Sequence, residues 1–409
     1  MWKRLNNISS KISWSFGGNL IYALSQWIII TVIARFGSTT ELGIYSLGLA
    51  ITAPIVLFFS FQLRTILATD SKQEYDFSQY FGGRIIHLTI SLVIIIPIAF
   101  LYSSNVENIL VIILLGIIKC VEGLSDICMG FYQKKSKIDI IGKSQMYRGI
   151  FSVIVVFLIY FFTQNLIFSQ IGLLIIMVIR LVIYDLKNLR PFVKIFPVFD
   201  LSWIHLMKWA FPLGIASLIS SLNTNIPRYF LEYFSSTEEV GIFSALYYIL
   251  IASNMLITPI SLLAAPRIAR AYNQNQIKKY TKINIQLSLV SLILFLLIIT
   301  IIIFQGELIL KVLYGSAYTS YNDSFIIISC SLLFGFLTAF YTVSIVAARS
   351  IRIQPLLNFM VTIVTIISCY YFIGTQDILG ASYSLLISRI FQALLSAGLL
   401  FHIIYKKSR

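Results

Sequence analysis

Phe36-Gly-Ser-Thr-Thr-Glu-Leu-Gly-Ile-Tyr-Ser46 returns 198 residues later as Phe234-Ser-Ser-Thr-Glu-Glu-Val-Gly-Ile-Phe-Ser244, with seven of eleven positions identical. Each copy reads as a helix stop, a polar turn and a new helix with a Glu near its N-terminus, where the helix dipole favours an anion. Chance similarity is common in apolar sequence, but this match lies in a polar turn. It therefore reads as an internal repeat and makes the chain two related halves.

Apolar runs flank both copies and recur along all 409 residues; 58% of the chain is hydrophobic and 11% charged. A soluble domain carries about 25% charged residues, so the solvent for this chain is lipid. Twelve runs are predicted as spanning helices: 12–36, 41–66, 84–103, 107–132, 146–163, 166–186, 210–234, 240–265, 283–304, 322–348, 355–373 and 380–404. Each is about 20 residues or a little more, enough to cross roughly 30 Å of hydrocarbon. None alternates with the two-residue period of a barrel strand. The basic start, Met1 to Lys11, precedes a run too long for a signal-peptide core, so the first helix is expected to be retained. The fold class is thus an all-α polytopic membrane protein of two pseudo-symmetric six-helix bundles.

The formal charge of +15 would suggest nucleic acid in a soluble protein. Here the loops explain it. With the N-terminus in the cytoplasm, 25 of 31 cations fall on the inner side. They are Lys3, Arg4 and Lys11 in the N-terminal tail; Arg64, Lys72 and Arg84 after the second run; Lys134, Lys135, Lys137, Lys143 and Arg148 after the fourth; and Lys187, Arg190, Lys194 and Lys208 after the sixth. Arg267, Arg270, Lys278, Lys279 and Lys282 follow the eighth run, and Arg349, Arg352, Lys406, Lys407 and Arg409 the tenth and twelfth. Only Arg35 and Lys311 fall outside, which sets an N-in, C-in topology by the positive-inside rule. The longest connection, 187–209, carries Pro191, Pro197, Trp203 and Trp209 among basic residues and reads as a cytoplasmic interfacial linker. The expected domains are residues 1–186, this linker at 187–209, and residues 210–409.

Charge inside the runs points to function, because an ionisable side chain within a bilayer-spanning helix needs a partner or water. Lys119, Arg180, Arg228 and Arg389 lie in four different helices, and Arg35 ends the first. With Arg35 they are the expected lining of a cationic cavity for an anionic head group; the bland alternative is internal salt bridges and snorkelling side chains. Lys119, Glu122 and Asp126 share one helix face, so the two carboxylates either partner Lys119 or relay a proton or sodium ion. Arg228 and Glu232 are spaced to pair at i,i+4. Cys120, Cys128, Cys330 and Cys369 read as buried reduced thiols, and His87, His205 and His402 lie too far apart for a metal site. There is no Walker A loop and no Ser/His/Asp constellation.

Gln62-Leu-Arg64-Thr-Ile-Leu-Ala-Thr-Asp70, with Glu74-Tyr-Asp-Phe77 and Tyr80 after it and Gly43-Ile-Tyr-Ser-Leu47 before it, carries a resemblance. It resembles the first half of bacterial polysaccharide flippases, the O-antigen and capsule repeat-unit (Wzx-type) branch of the multidrug/oligosaccharidyl-lipid/polysaccharide (MOP) superfamily. That resemblance implies a MATE/MOP-like fold in the bacterial cytoplasmic membrane. It implies flipping of an undecaprenyl-pyrophosphate-linked oligosaccharide from inner to outer leaflet, with proton or sodium coupling and no cofactor. It makes the polyprenyl-linked glycan and membrane lipids the partners, alongside a polysaccharide polymerase and a chain-length regulator, with no nucleic acid. It assigns Arg64 and Asp70 to a gate or loop and the intramembrane cations to the cavity.

Three rivals fit less well. A multidrug extruder of the same superfamily would want an acidic residue in the first helix, and none precedes Glu41. A membrane polymerase or ligase would carry a large outer loop, and the outer connections here are short. A scaffold would gain nothing from buried charge.

Overall fold

The computed structural model describes residues 2–408 apart from 71, 194 and 351–352, with side chains from residue 14 to 407 except 254. Of the cations counted above, Lys194, Arg352 and Arg409 and the side chains of Lys3, Arg4 and Lys11 lie outside the described residues.

The described chain is helical throughout. In order it forms α1 (Trp2–Phe36), α2 (Thr39–Ser60), α3 (Leu63–Thr69), α4 (Phe77–Tyr102), α5 (Val106–Lys134), α6 (Ile138–Thr163) and α7 (Leu166–Arg180). A π-helical segment, Leu181–Leu186, joins α7 to the short α8 (Lys187–Leu189). Then come α9 (Ser202–Phe234), α10 (Thr237–Asn273), α11 (Ile277–Leu313), a 3-10 turn (Ser316–Tyr321), α12 (Asn322–Ala347) and α13 (Gln354–Ser408). Each apolar run named above falls on helix to within a residue at its ends, except that the second crosses the break at Phe61 and Gln62 from α2 into α3 and the sixth passes from α7 into the π-helical segment.

Ten of these segments are long and apolar enough to cross a membrane. One of them, α13, is broken at Asp377, where φ is 48° and ψ −124°. Thr365 Oγ1 donates to Ser388 Oγ at 2.9 Å across that break, so α13 is an antiparallel helical hairpin and the long apolar helices among the described residues number eleven. The outward faces suit lipid. On α11, Ile293 is 62% and Phe304 82% exposed, apolar surface that water would not tolerate in such quantity.

The chain divides into two compact units, Met1–Leu222 and Asn223–Arg409. The repeat of the sequence appears once in each, as the same capping chemistry. In the first unit Ser38 caps α2: the Glu41 N–H donates to Ser38 Oγ at 3.1 Å and the Ser38 N–H to Glu41 Oε2 at 3.0 Å, a complete capping box. In the second, Ser236 caps α10 through a bond from the Glu239 N–H at 3.3 Å.

In the first unit α1 packs chiefly on α6. The approach is backbone to backbone: a Cβ on Gly18 would strike the Gly142 carbonyl, and one on Gly142 would strike Trp14 and Ser15. Small residues at such crossings let membrane helices gain dispersion contacts that lipid cannot offer. Gly142→Leu should therefore wedge α1 from α6 and cost about 1–3 kcal/mol, the usual range for overpacking; thermal unfolding in detergent measures it. The core of this unit runs through Phe61, Leu67, Phe77, Tyr80, Phe131 and Tyr132. The segment before α9 lies along the first turns of α4. The Val198 N–H donates to the Ser78 carbonyl at 3.1 Å, Gln79 Nε2 to Asp200 at 2.8 Å, and a Cβ on Gly82 would meet the Val198 backbone.

In the second unit buried phenols tie helices together. Tyr280 donates to the Ser344 carbonyl at 3.0 Å, joining α11 to α12, and Tyr314 to the Ala245 carbonyl at 2.9 Å, reaching α10.

Candidate functional site

The first unit holds an ionic lattice organised by α5. Lys119, Glu122 and Asp126 follow at spacings of three and four and so share one face. Lys119 pairs with Glu122 on this face, and the two carboxylates also take arginines from other helices. Asp126 Oδ1 takes Arg64 Nη1 at 3.0 Å and Oδ2 takes Arg84 Nη2 at 3.2 Å. Arg84 is fully buried, and its Nη1 also donates to the Ser60 carbonyl at 3.0 Å. Ser60 ends α2, where carbonyls lose their helical partners, so Arg84 satisfies one of them. The left-handed residues Phe61 and Gln62 break the helix there and let α3 restart with Arg64 turned to Asp126.

One turn back on α5, Glu122 takes Lys119 Nζ at 3.0 Å on one oxygen and pairs with Arg148 of α6 on the other. Arg148 is buried, with its guanidinium 4.1 Å from the centre of the Tyr22 ring. Arg148 lies one turn from Ser144, which joins a third group. Arg180 Nη1 donates to Ser144 Oγ at 2.7 Å and to Asp185 Oδ2 at 2.9 Å. Ser144 and Ser125 each donate to Asp185 at 2.6 Å, and Tyr132 donates to its backbone carbonyl at 2.5 Å. Asp185 is wholly buried. The π segment makes this possible: five residues along a π-helix return to the same face, whereas in an α-helix they diverge.

The lattice thus brings five cations, Arg64, Arg84, Lys119, Arg148 and Arg180, to three carboxylates, Glu122, Asp126 and Asp185. Positive charge is in surplus, and Arg180 Nε and Nη2 and Arg84 Nε have no hydrogen-bond partner.

The other expected residues separate. Asp70 ends α3, 3.6 Å from Lys134 and 3.4 Å from the Tyr80 hydroxyl, a loop clasp apart from the lattice. Arg35 is exposed in the last turn of α1. In the second unit Arg228 of α9 is buried, with Nε on Ser244 Oγ at 2.8 Å and Nη1 on Asn225 Oδ1 at 2.9 Å and the Thr224 carbonyl at 3.2 Å. Its guanidinium lies 5.1 Å from the Tyr247 ring centre. Glu232, spaced to pair with Arg228, accepts from Thr237 Oγ1 at 2.9 Å. Arg389 of α13 bonds Gln392 at 3.1 Å and lines a cavity of about 190 Å³ with Ser331, Phe336 and Thr338.

The sequence reading missed Arg84, Arg148 and Asp185. It placed the two arginines in loops, because hydropathy begins their helices at 84 and 146, whereas α4 begins at Phe77 and α6 at Ile138. Among the described residues no group of His, Cys, Asp and Glu could hold a metal ion.

Comparison with known proteins agrees with this architecture. The chain is 28% identical over 387 residues to the capsular polysaccharide biosynthesis protein CapF of Staphylococcus aureus, covering 94% of this chain and 96% of that one. Among solved structures it is similar to a multidrug resistance MATE family transporter of the MOP superfamily in an inward-facing conformation, with a TM-score of 0.77, 13% identity and 95% of each chain covered. It is equally similar to the lipid II flippase MurJ in an inward closed conformation, with a TM-score of 0.77, 15% identity, and 97% of this chain and 90% of that one covered. The polysaccharide biosynthesis protein family matches residues 8–272, some two thirds of the chain. This multi-pass membrane protein, with the fold of the MOP transporters and a surplus of buried cations, belongs to the polysaccharide biosynthesis protein family.

Proposed function

We propose that the protein flips an undecaprenyl-pyrophosphate-linked oligosaccharide repeat unit from the inner to the outer leaflet of the bacterial cytoplasmic membrane, by alternating access, for capsule, O-antigen or exopolysaccharide synthesis. In this reading α9 is a further span, too polar for the hydropathy criterion because of Asn223, Asn225, Arg228 and Glu232, which gives twelve spans in two halves of six. The interfacial linker at 187–209 connects the halves in sequence, and both chain ends face the cytoplasm.

The observation that carries the reading is Arg228. A buried guanidinium bonded to neutral oxygens keeps a full charge to offer, and a pyrophosphate is the anion that every lipid-linked repeat unit brings. The cation surplus of the first unit and Arg389 in the second extend the same preference. They disfavour a cationic drug as cargo. Glu122 and Asp126 are engaged by cations on both oxygens, which favours charge balance over relay of a proton or sodium ion.

Deletion of the gene should trap the lipid-linked repeat unit on the cytoplasmic leaflet. Its sugar should then resist a membrane-impermeant glycosidase in spheroplasts and yield in inverted vesicles. Normal surface polysaccharide in the deletion strain would sink the proposal.

A further inference from the structure

Outside the lattice, the second unit contains a cavity of about 550 Å³ where α10, α12 and α13 end. Among the described residues its lining includes Arg349, Lys406 and Lys407 and no carboxylate; the apolar part is Ile353, Leu399 and Ile403. The geometry points to a binding site for the phosphate head group of an anionic glycerophospholipid, its first acyl carbons resting on the apolar part.

Electrostatics decides whether the cations are free to act. The C-termini of α10, α12 and α13 meet here with the N-terminus of the α13 hairpin, which follows Ile353 of the lining, and each helix end carries about half a charge, negative at a C-terminus and positive at an N-terminus. Together they offset about one of the three cationic charges. Part of that offset is visible: Lys407 Nζ donates to the Tyr272 carbonyl at 2.7 Å, near the end of α10, and lies 3.6 Å from that ring's centre. The end of α12 is closed by its own backbone, with the Ala348 N–H on the Ser344 carbonyl at 3.0 Å and the Ser350 N–H on the Ile345 carbonyl at 3.1 Å. Lys406 and Arg349 therefore remain, both exposed, with a net positive charge matched to one phosphodiester.

Shape separates a lipid from a soluble phosphate. Three aliphatic side chains beneath the cations suit an amphiphile, and an inorganic anion would leave them wet. The rim joins the lipid-facing surface of the same unit, where Phe401 is 70% and Leu356 56% exposed. Basic pockets at helix ends near a membrane surface are a recurrent means of holding anionic head groups.

The test is native mass spectrometry of the full-length protein released from micelles with equal phosphatidylglycerol and phosphatidylcholine. Phosphatidylglycerol should be retained over phosphatidylcholine, and each charge removed should weaken it about fivefold, so Arg349→Gln with Lys406→Gln should lose it about 25-fold. Leu399→Trp keeps the charge and fills the apolar part; it should also lose the lipid, which guards against misfolding of the double variant. Lys187→Gln with Arg190→Gln, two exposed cations elsewhere, should leave retention unchanged. Equal retention of the two lipids, or undiminished phosphatidylglycerol on variants that remain monodisperse, would overturn the site. Displacement by millimolar inorganic phosphate would overturn the lipid assignment in favour of a soluble phosphate. Displacement by polyprenyl phosphate alone would overturn it in favour of the transported carrier.

Discussion

Asp185→Ala should destabilise the protein by about 3–5 kcal/mol, the cost of stripping a buried cation of its partner. The carboxylate has no contact with solvent and accepts from Arg180, Ser144 and Ser125. Its loss leaves a guanidinium and two hydroxyls without their acceptor in a medium that offers few others. The variant should accumulate poorly and unfold well below the parent in detergent. Asp185→Asn should fall between, because the amide oxygen still accepts a hydrogen bond while the charge is gone. Arg180→Met combined with Asp185→Leu is the informative companion. Removing a whole buried pair is often close to neutral, so this variant, which strands only the two serine hydroxyls, should be clearly more stable than Asp185→Ala. If it folds and export fails, Arg180 meets the cargo; if export persists, the pair is structural.

Arg228→Ala should do the reverse, sparing the fold and impairing export. Its bonds run to neutral oxygens, so its removal strands no opposite charge. A hydrogen bond to a charged partner contributes about 1.5–3 kcal/mol, which corresponds to roughly a 10–100-fold loss of cargo affinity. Arg228→Lys keeps the charge without the planar fork and should recover part of it. Export is measured as surface polysaccharide per unit of membrane-inserted protein. Unchanged export at normal protein levels would remove Arg228 from the cargo site.

The sequence was most legible where periodicity and cap chemistry agree. Ser38 with Glu41 and Ser236 with Glu239 were visible as a repeat, and both are helix caps in the structure. The charged face of α5 was also visible, with Glu122 a foreseen partner for Lys119, but the arginines that reach it were not. Lys119 finds Glu122 on its own face, whereas Glu122 and Asp126 take their arginines according to which other helix passes nearby. Hydropathy trims a helix where its charges begin, so it assigned Arg84 and Arg148 to loops although both are buried. Asp185 was hidden for a different reason. Its pairing with Arg180 needs a register of five, and an α-helical reading sends the two side chains to different faces.

The glycine contact between α1 and α6 also sets an order of events during synthesis. Gly18 and Gly142 are 124 residues apart in the chain, and α1 makes few contacts with α2. At about 5–20 residues per second, the first helix to leave the ribosome waits some 6–25 s for the surface it packs on. Through that interval Asn19 and Ser25 bond to carbonyls of their own helix, Ser15 and Tyr22, at 2.9 and 2.6 Å, while the Gly18 face has no backbone to meet. A nascent chain stalled before residue 138 would therefore hold a first helix whose glycine face meets only lipid, without the close backbone contact that fixes it in the finished unit.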